Sequence, residues 1–281
     1  MAKPVLAAEA NRIRRLGSSW AAMAKAADVQ GIELAQAGAD SELTAAAASM
    51  ATAYSRAAAQ AVRAAAAADA ASAAEQAAEK ATKALAKADT AVDVAEAAVV
   101  SANVTVATLR AAGAISILIG MNIGPSPAQF ATLAHAEKRL IQAMNHRGAA
   151  LWVLGNAEHV LKQSDQVRHR ATRAFAAACL AEAEAARRAL PTASKSREGP
   201  ASIDVLADGL GALASVAAGQ ALAIDRFAQG DAGAAHGALE IVDRWAKRLA
   251  RFGGAGDFAA PAINAAFEAF ADGRMVPETA P

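Results

Sequence analysis

The sequence is poor in cysteine and in aromatic residues. Cys179 is the one cysteine among 281 residues, which excludes an internal disulfide framework and is typical of a reducing compartment. Phe, Trp and Tyr make up 4% of the chain, so its apolar content is mostly small side chains. Because alanine supplies most of the 55% hydrophobic fraction and is the best helix former, the composition favours helix over sheet and predicts an all-α protein.

Recognisable active-site and cofactor motifs are also lacking. The chain has no Gly-rich phosphate loop, no nucleophile elbow and no zinc-binding helix motif. Successive histidines among His135, His146, His159 and His169 lie ten to thirteen residues apart, or roughly 15 to 20 Å along a helix, and cannot share a metal ion. We therefore expect no catalytic residue, no cofactor and no metal site. An enzyme or metal-binding bundle whose groups meet only in three dimensions is the second alternative.

Charge is balanced overall but unevenly distributed. The formal net charge is +1, with an excess of about four positive charges in residues 135–190 and about four negative charges in residues 201–281. The basic cluster at residues 168–173 has no interleaved aromatics, so we expect a solvated face or a contact with the acidic C-terminal segment, and no nucleic-acid partner. Glu9 and Arg12 precede any apolar run, which predicts a cytoplasmic protein or one exported without a cleavable Sec signal peptide.

A long alanine-rich helix is the strongest pattern in the sequence. After a first helix over residues 4–38, which Gly38 ends, a heptad repeat runs from Leu43 to Leu109. Its a and d positions carry no charge, and Gln60 is their single polar residue. The repeat predicts a helix of about 70 residues, roughly 100 Å long. The larger residues of its helix seam are Leu85, Val92, Val99, Val106 and Leu109.

A second long helix is predicted over residues 128–190 and pairs with the first in antiparallel fashion. Pro-rich residues 191–200 then read as a linker, followed by short helices over 202–229, 232–252 and 260–271. We therefore predict an elongated helical bundle over 1–190 and a short-helix module over 201–281 that ends in a disordered tail. The apolar stripe expected to face the alanine helix comprises Leu133, Leu140, Met144, Leu151, Leu154 and Leu161.

The hairpin tip that joins the two long helices is unusually apolar. Arg110 is the only charged residue between Glu96 and His135, and residues 111–127 need burial in their own bundle, in a second subunit or in a bilayer. Glycines and prolines interrupt the segment too often for a conventional transmembrane span. The residues predicted to contact a membrane or partner are Ile115, Ile117, Leu118, Ile119, Met121 and Ile123.

The layout of two long helices around a hydrophobic hairpin resembles the cytolysin-A type of α-helical pore-forming toxin and, less closely, type III secretion translocators. The resemblance covers residues 41–190 and is architectural, so it transfers no residue-level role. It implies conditional membrane insertion of the tip. We therefore expect a non-enzymatic, self-associating assembly protein whose hairpin engages a membrane surface or a partner. The alternative is a cytoplasmic coiled-coil scaffold or granule-coat protein with a permanently buried tip.

Overall fold

The fold is all-α. A computed structural model describes residues 5–118, 124–195, 201–229 and 231–252, together with residues 257 and 261. Within these ranges it contains no strand, which confirms the predicted fold class. The short helix predicted over 260–271 and the C-terminal tail lie outside the described residues. The five helices are α1 (Val5–Gln36), α2 (Ser41–Leu118), α3 (Pro127–Lys195), α4 (Ala201–Ala228) and α5 (Ala232–Leu249).

The turn between α1 and α2 has the glycine-dependent geometry that the sequence predicts. Gly38 has a φ of +73°, a left-handed conformation that costs glycine little. The N–H of Ala39 donates to the Leu34 carbonyl at 3.0 Å, as in a helix that ends in a Schellman motif. The Asp40 carboxylate then accepts the N–H of Glu42 at 3.3 Å. Gly38 is therefore confirmed as the end of the first helix, and Asp40 caps α2.

Side-chain caps also begin α3 and α5. Pro127 is the first residue of α3, where its missing N–H costs no helical hydrogen bond. The Ser126 N–H donates to the Gln129 side chain at 2.5 Å, which satisfies one end of a capping box. At α5, the Asp231 carboxylate accepts the N–H of Ala234 at 2.9 Å, as an N-cap residue does.

The predicted linker begins too early. Helix α3 continues to Lys195, so the expectation of a linker over 191–200 is wrong for residues 191–195. Ala183 and Ala186 are buried in the core, which holds the preceding turns in place. Pro191 then lies near the helix end, where its missing N–H removes a single hydrogen bond.

The chain divides into two compact units that do not follow the predicted boundary at residues 191–200. Unit 1 comprises Met1–Ser72 and Ser164–Pro281, and unit 2 comprises Ala73–Gln163. Helices α2 and α3 each contribute to both units. Helices α4 and α5 belong to unit 1 because their buried residues join those of α1 in one core.

In unit 1, α1 packs closely and antiparallel on the first part of α2. One face of α1, which includes Leu16 and Trp20, is fully buried. A Cβ at Gly17 would lie 2.7 Å from that of Ala61, so small residues at both positions permit the approach of the two helices. The Trp20 and Tyr54 rings pack edge to face, with centroids 5.5 Å apart.

Helix α4 adds a further layer to unit 1. Buried Gln220 donates to the hydroxyl of buried Ser19 on α1 at 2.9 Å, which satisfies two polar groups that would otherwise be costly to bury. Helix α5 returns along α4, and a Cβ at Gly219 would lie 2.5 Å from a Val242 methyl. Close packing thus extends from α1 through α4 to α5.

Unit 2 contains the C-terminal part of α2 and the N-terminal part of α3, which run antiparallel. Asp89 accepts a 2.6 Å hydrogen bond from Arg147, while Arg110, further along α2, lies over the Phe130 ring, nearer the start of α3. In the fully described stretch 74–109, the a and d positions are buried or half-buried, and Asp89 is the one other residue there that is not exposed. One narrow strip of α2 therefore faces α3.

Candidate interaction surface

The predicted helix seam lies on the covered strip of α2. Val92 and Val106 are buried, whereas Leu85, Val99 and Leu109 are half-buried. The compact apolar cluster in unit 2 is small, because its buried members are one valine and two alanines. The cluster comprises Val92, Ala95 and Ala143, with Leu140 packed against it.

The predicted contact residues of the hairpin tip fall where little is described. Ile115, Ile117 and Leu118 belong to the last turns of α2, and their side chains lie outside the described set. Ile119, Met121 and Ile123 lie outside the described residues altogether. The tip therefore remains a prediction from sequence.

Two residues of the predicted α3 stripe face the wrong way. Met144 and Leu151 were expected to pack on α2 but are 55% and 47% exposed. The covered strip instead passes through Ala143 and Ala150, one residue earlier and therefore about 100° around the helix. Small alanines occupy the seam here, and the larger side chains stand beside it.

The misassigned residues belong to a larger apolar surface on α3. Ile141 is 60% exposed and Trp152 is 70% exposed. Arg147, which binds Asp89, is the only Lys, Arg, Asp or Glu between Arg139 and Glu158. We call this surface the α3 face, and it comprises Ile141, Met144, Gly148, Leu151, Trp152 and Gly155.

Helix α2 also exposes large side chains in unit 2. Val94, Val100 and Val104 are each at least 60% exposed, outside the seam. Both exposed surfaces could have been predicted from the sequence, because charged residues are sparse along 97–109 and 140–157. The α3 face was not predicted, because the large apolar residues of the second long helix were expected to pack against the alanine helix.

Arg168 of the basic cluster has a structural role in unit 1, whereas Arg170 and Arg173 are exposed. Arg168 is 6% exposed and binds Glu9 of α1 at 2.7 Å and Asp165 at 3.2 Å. His169 lies beside the same guanidinium group at 3.3 Å. The predicted choice between a solvated face and contact with the C-terminal segment is thus wrong for Arg168, because it pairs with the N-terminal helix.

Two buried titratable groups in unit 1 are held neutral. Burial raises the pKa of the Tyr54 hydroxyl above its usual range. Burial, with a smaller effect of the Glu182 carboxylate, raises the pKa of the Cys179 thiol well above its usual value. Neither group is an activated nucleophile, since activation needs a lowered pKa.

The described residues contain no metal-ligating cluster but include two apolar segments of membrane-spanning length. Within the described ranges, no three His, Cys, Asp or Glu residues lie close enough together to hold a metal ion. Two segments are long and apolar enough to cross a membrane by length and composition alone, within Ser41–Ala114 and Ile203–Arg226. The second is mostly buried, as a core helix would be, whereas the first is 17% buried in its apolar window.

Comparison with known proteins identifies no relative. No protein family, no curated protein and no solved structure matches the chain. The function must therefore be argued from the exposed surfaces themselves.

Proposed function

We propose that the chain is a non-enzymatic helical assembly protein whose unit 2 provides the surface for association. The observation that carries this proposal is the imbalance between what unit 2 buries and what it exposes. Its apolar cluster buries Val92, Ala95 and Ala143, while Trp152 is 70% and Ile141 is 60% exposed. A protein that gains little from its own seam gains more by covering these larger side chains.

The chemistry of the exposed surface favours a protein partner. Tryptophan and methionine are enriched at the centres of protein interfaces, where charged residues are depleted. The α3 face has this composition, since Trp152 and Met144 lie in a stretch whose one charge, Arg147, is already paired. Association through unit 2 is consistent with both a self-assembling protein and a scaffold.

Light scattering of the full chain tests this proposal. We expect the parent to form an oligomer and Trp152→Glu to dissociate it, because a carboxylate in an apolar interface is strongly disfavoured. Val62→Glu is the matched control, since Val62 is 68% exposed on α2 in unit 1. A parent that stays monomeric at every accessible concentration, and binds no membrane, would contradict the proposal.

Membrane contact through the tip is a second candidate. It is supported by the apolar window within Ser41–Ala114, which is 17% buried, and by the uncharged tip sequence. Flotation with anionic and neutral vesicles should recover the parent and release Ile117→Asp with Ile119→Asp. Equal behaviour of the two proteins would remove the membrane role and leave protein association in place.

A further inference from the structure

Two glycines in the middle of α3 are not required by any close contact among the described residues. Glycine in a helix interior costs about 1 kcal/mol relative to alanine. Among the described residues, a Cβ at Gly148 or Gly155 would meet nothing within 4 Å, as is also true of Gly211 and Gly237, and Gly38 is the one described glycine with a positive φ. By contrast, Gly17 and Gly219 are required by the close approach of Ala61 and Val242.

The glycines are flanked by the largest exposed side chains of unit 2. Gly148 and Gly155 lie seven residues apart, so they fall on one side of the helix. Ile141, seven residues before Gly148, continues the same row, and Met144, Leu151 and Trp152 stand at its edges. The α3 face therefore alternates bulky side chains with gaps that leave the backbone accessible.

We propose that the α3 face binds the α3 face of a second copy of this chain, antiparallel and about a two-fold axis at Gly148. The inference rests on the proposed function and names its partner. Positions equally distant from the axis then lie level with each other. Ile141 lies level with the partner subunit's Gly155, and Met144 lies level with the partner subunit's Trp152.

In this pairing, large side chains of one copy lie opposite glycines of the other. Each Ile141 faces a position without a Cβ, and the two copies of Gly148 meet at the axis, which lets the helices approach to about 8 Å, the short end of the usual range. Met144 and Trp152 then meet through a sulfur–aromatic contact, which is favourable. A surface that complements itself in this way is what a two-fold interface requires.

The axis at Gly148 agrees with the extent of the apolar stretch. Apart from Arg147, residues 140–157 carry no Lys, Arg, Asp or Glu, and Gly148 lies at the centre of this stretch. Two copies paired about Gly148 therefore overlap along the whole stretch. The antiparallel direction follows from the pairing of large side chains with glycines, because parallel pairing would set each Ile141 against its own copy.

Disulfide trapping of the full chain tests the register. In a Cys179→Ala background, Gly148→Cys should oxidise to a covalent dimer, because residues on the axis come within the Cα separation of about 4.4 to 6.8 Å that a disulfide needs. A mixture of Ile141→Cys and Gly155→Cys should also cross-link. Ile141→Cys alone should not, since the two copies would lie about 20 Å apart.

A bulk substitution tests the interface without cysteine chemistry. Gly148→Leu should weaken association at least about tenfold, while helix content stays at or above the parent value, because a side chain at this position meets no neighbour among the described residues. Ala149→Leu is the control, since Ala149 is exposed but points about 100° away.

The outcomes separate the inference from the proposed function. An oligomer that lacks the Gly148→Cys cross-link, or that cross-links through Ile141→Cys alone, overturns the antiparallel register and leaves association through unit 2 intact. A parent that is monomeric and binds no vesicles removes both. An oligomer with both expected cross-links, weakened by Gly148→Leu but not by Ala149→Leu, supports the inference.

Discussion

At the scale of single residues, two polar contacts in the core of unit 1 each join side chains on different helices. Arg168 binds Glu9, and Ser19 binds Gln220, each across two helices. A buried charge is tolerated when it is paired and becomes costly when its partner is removed. The sequence shows that these residues are polar, but it does not show which of them become neighbours.

The Arg168–Glu9 pair should therefore be sensitive to loss of one member. Arg168→Met leaves the Glu9 carboxylate buried without its cation, and we expect a loss of about 3 to 5 kcal/mol in the free energy of unfolding. Urea unfolding followed by circular dichroism measures it. Adding Glu9→Leu should restore much of the loss.

The exposed pair Arg188–Glu184 provides the control for this experiment. Both side chains are more than two-thirds exposed, and Arg188→Met should change stability by less than about 1 kcal/mol. Equal losses for Arg188→Met and Arg168→Met would show that burial of the Arg168 pair carries no special weight.

Cys179 predicts a pH dependence of stability. Burial raises the pKa of its thiol in the folded state, so the unfolded thiol, with a pKa of about 8.5, ionises first as pH rises. The unfolded state then binds fewer protons, and the free energy of unfolding should fall as pH increases above about 8.5. Urea unfolding between about pH 8 and 9.5 measures the slope.

Removing the thiol tests the cause of that slope. Cys179→Ala should lower stability at every pH, because it leaves a small cavity, but should flatten the decline above about pH 8.5. A decline of unchanged steepness in Cys179→Ala would assign the pH dependence to other groups.

At the scale of helices, much could be predicted because local chemistry determines where helices begin and which side is covered. The face of α1, the Gly38 stop and the heptad positions of α2 all follow from residue type and spacing. The α3 stripe was partly wrong because large residues were assigned to the seam. In an alanine-rich hairpin the seam is formed largely by alanine side chains, so the size of an apolar residue does not predict whether it is buried.

Two nearby valines on α2 differ in exposure, because one lies in the seam and the other on the surface. Val92 is 9% exposed and Val94 is 66% exposed, so Val92→Asp should place a carboxylate between α2 and α3 whereas Val94→Asp places it in water. We expect Val92→Asp to increase hydrogen exchange along residues 85–106 and 133–150. Mass spectrometry of the peptides measures this, and Val94→Asp should resemble the parent unless an interface covers it.

At the scale of the whole chain, the sequence was least informative. Ser19 and Gln220 are 201 residues apart in sequence, and each lies on a helix whose apolar face could pack against any other. The periodicity of α4 predicts that one side is buried but does not identify α1 as its partner. The separate C-terminal module was predicted from a Pro-rich stretch. Contacts between residues distant in sequence instead place α4 and α5 in one core with α1.

This long-range packing predicts that damage to α4 spreads to α1. Leu213 is fully buried and Leu222 is 39% exposed on the same helix. Leu213→Asp should therefore increase hydrogen exchange in residues 5–36, whereas Leu222→Asp should have little effect. Protection of α1 that persists in a folded Leu213→Asp protein would show that α4 is not required for its stability.

The alanine seam of unit 2 also bears on how the hairpin finds its alignment. Methyl groups that recur every seven residues fit one another nearly as well after a shift of one heptad, so the seam alone carries little information about its own alignment. The Asp89–Arg147 pair supplies that information, since a one-heptad slide would separate the carboxylate from the guanidinium group by about 10 Å. This partly exposed ion pair thus fixes the register of two helix surfaces that would otherwise pack almost equally well in several alignments.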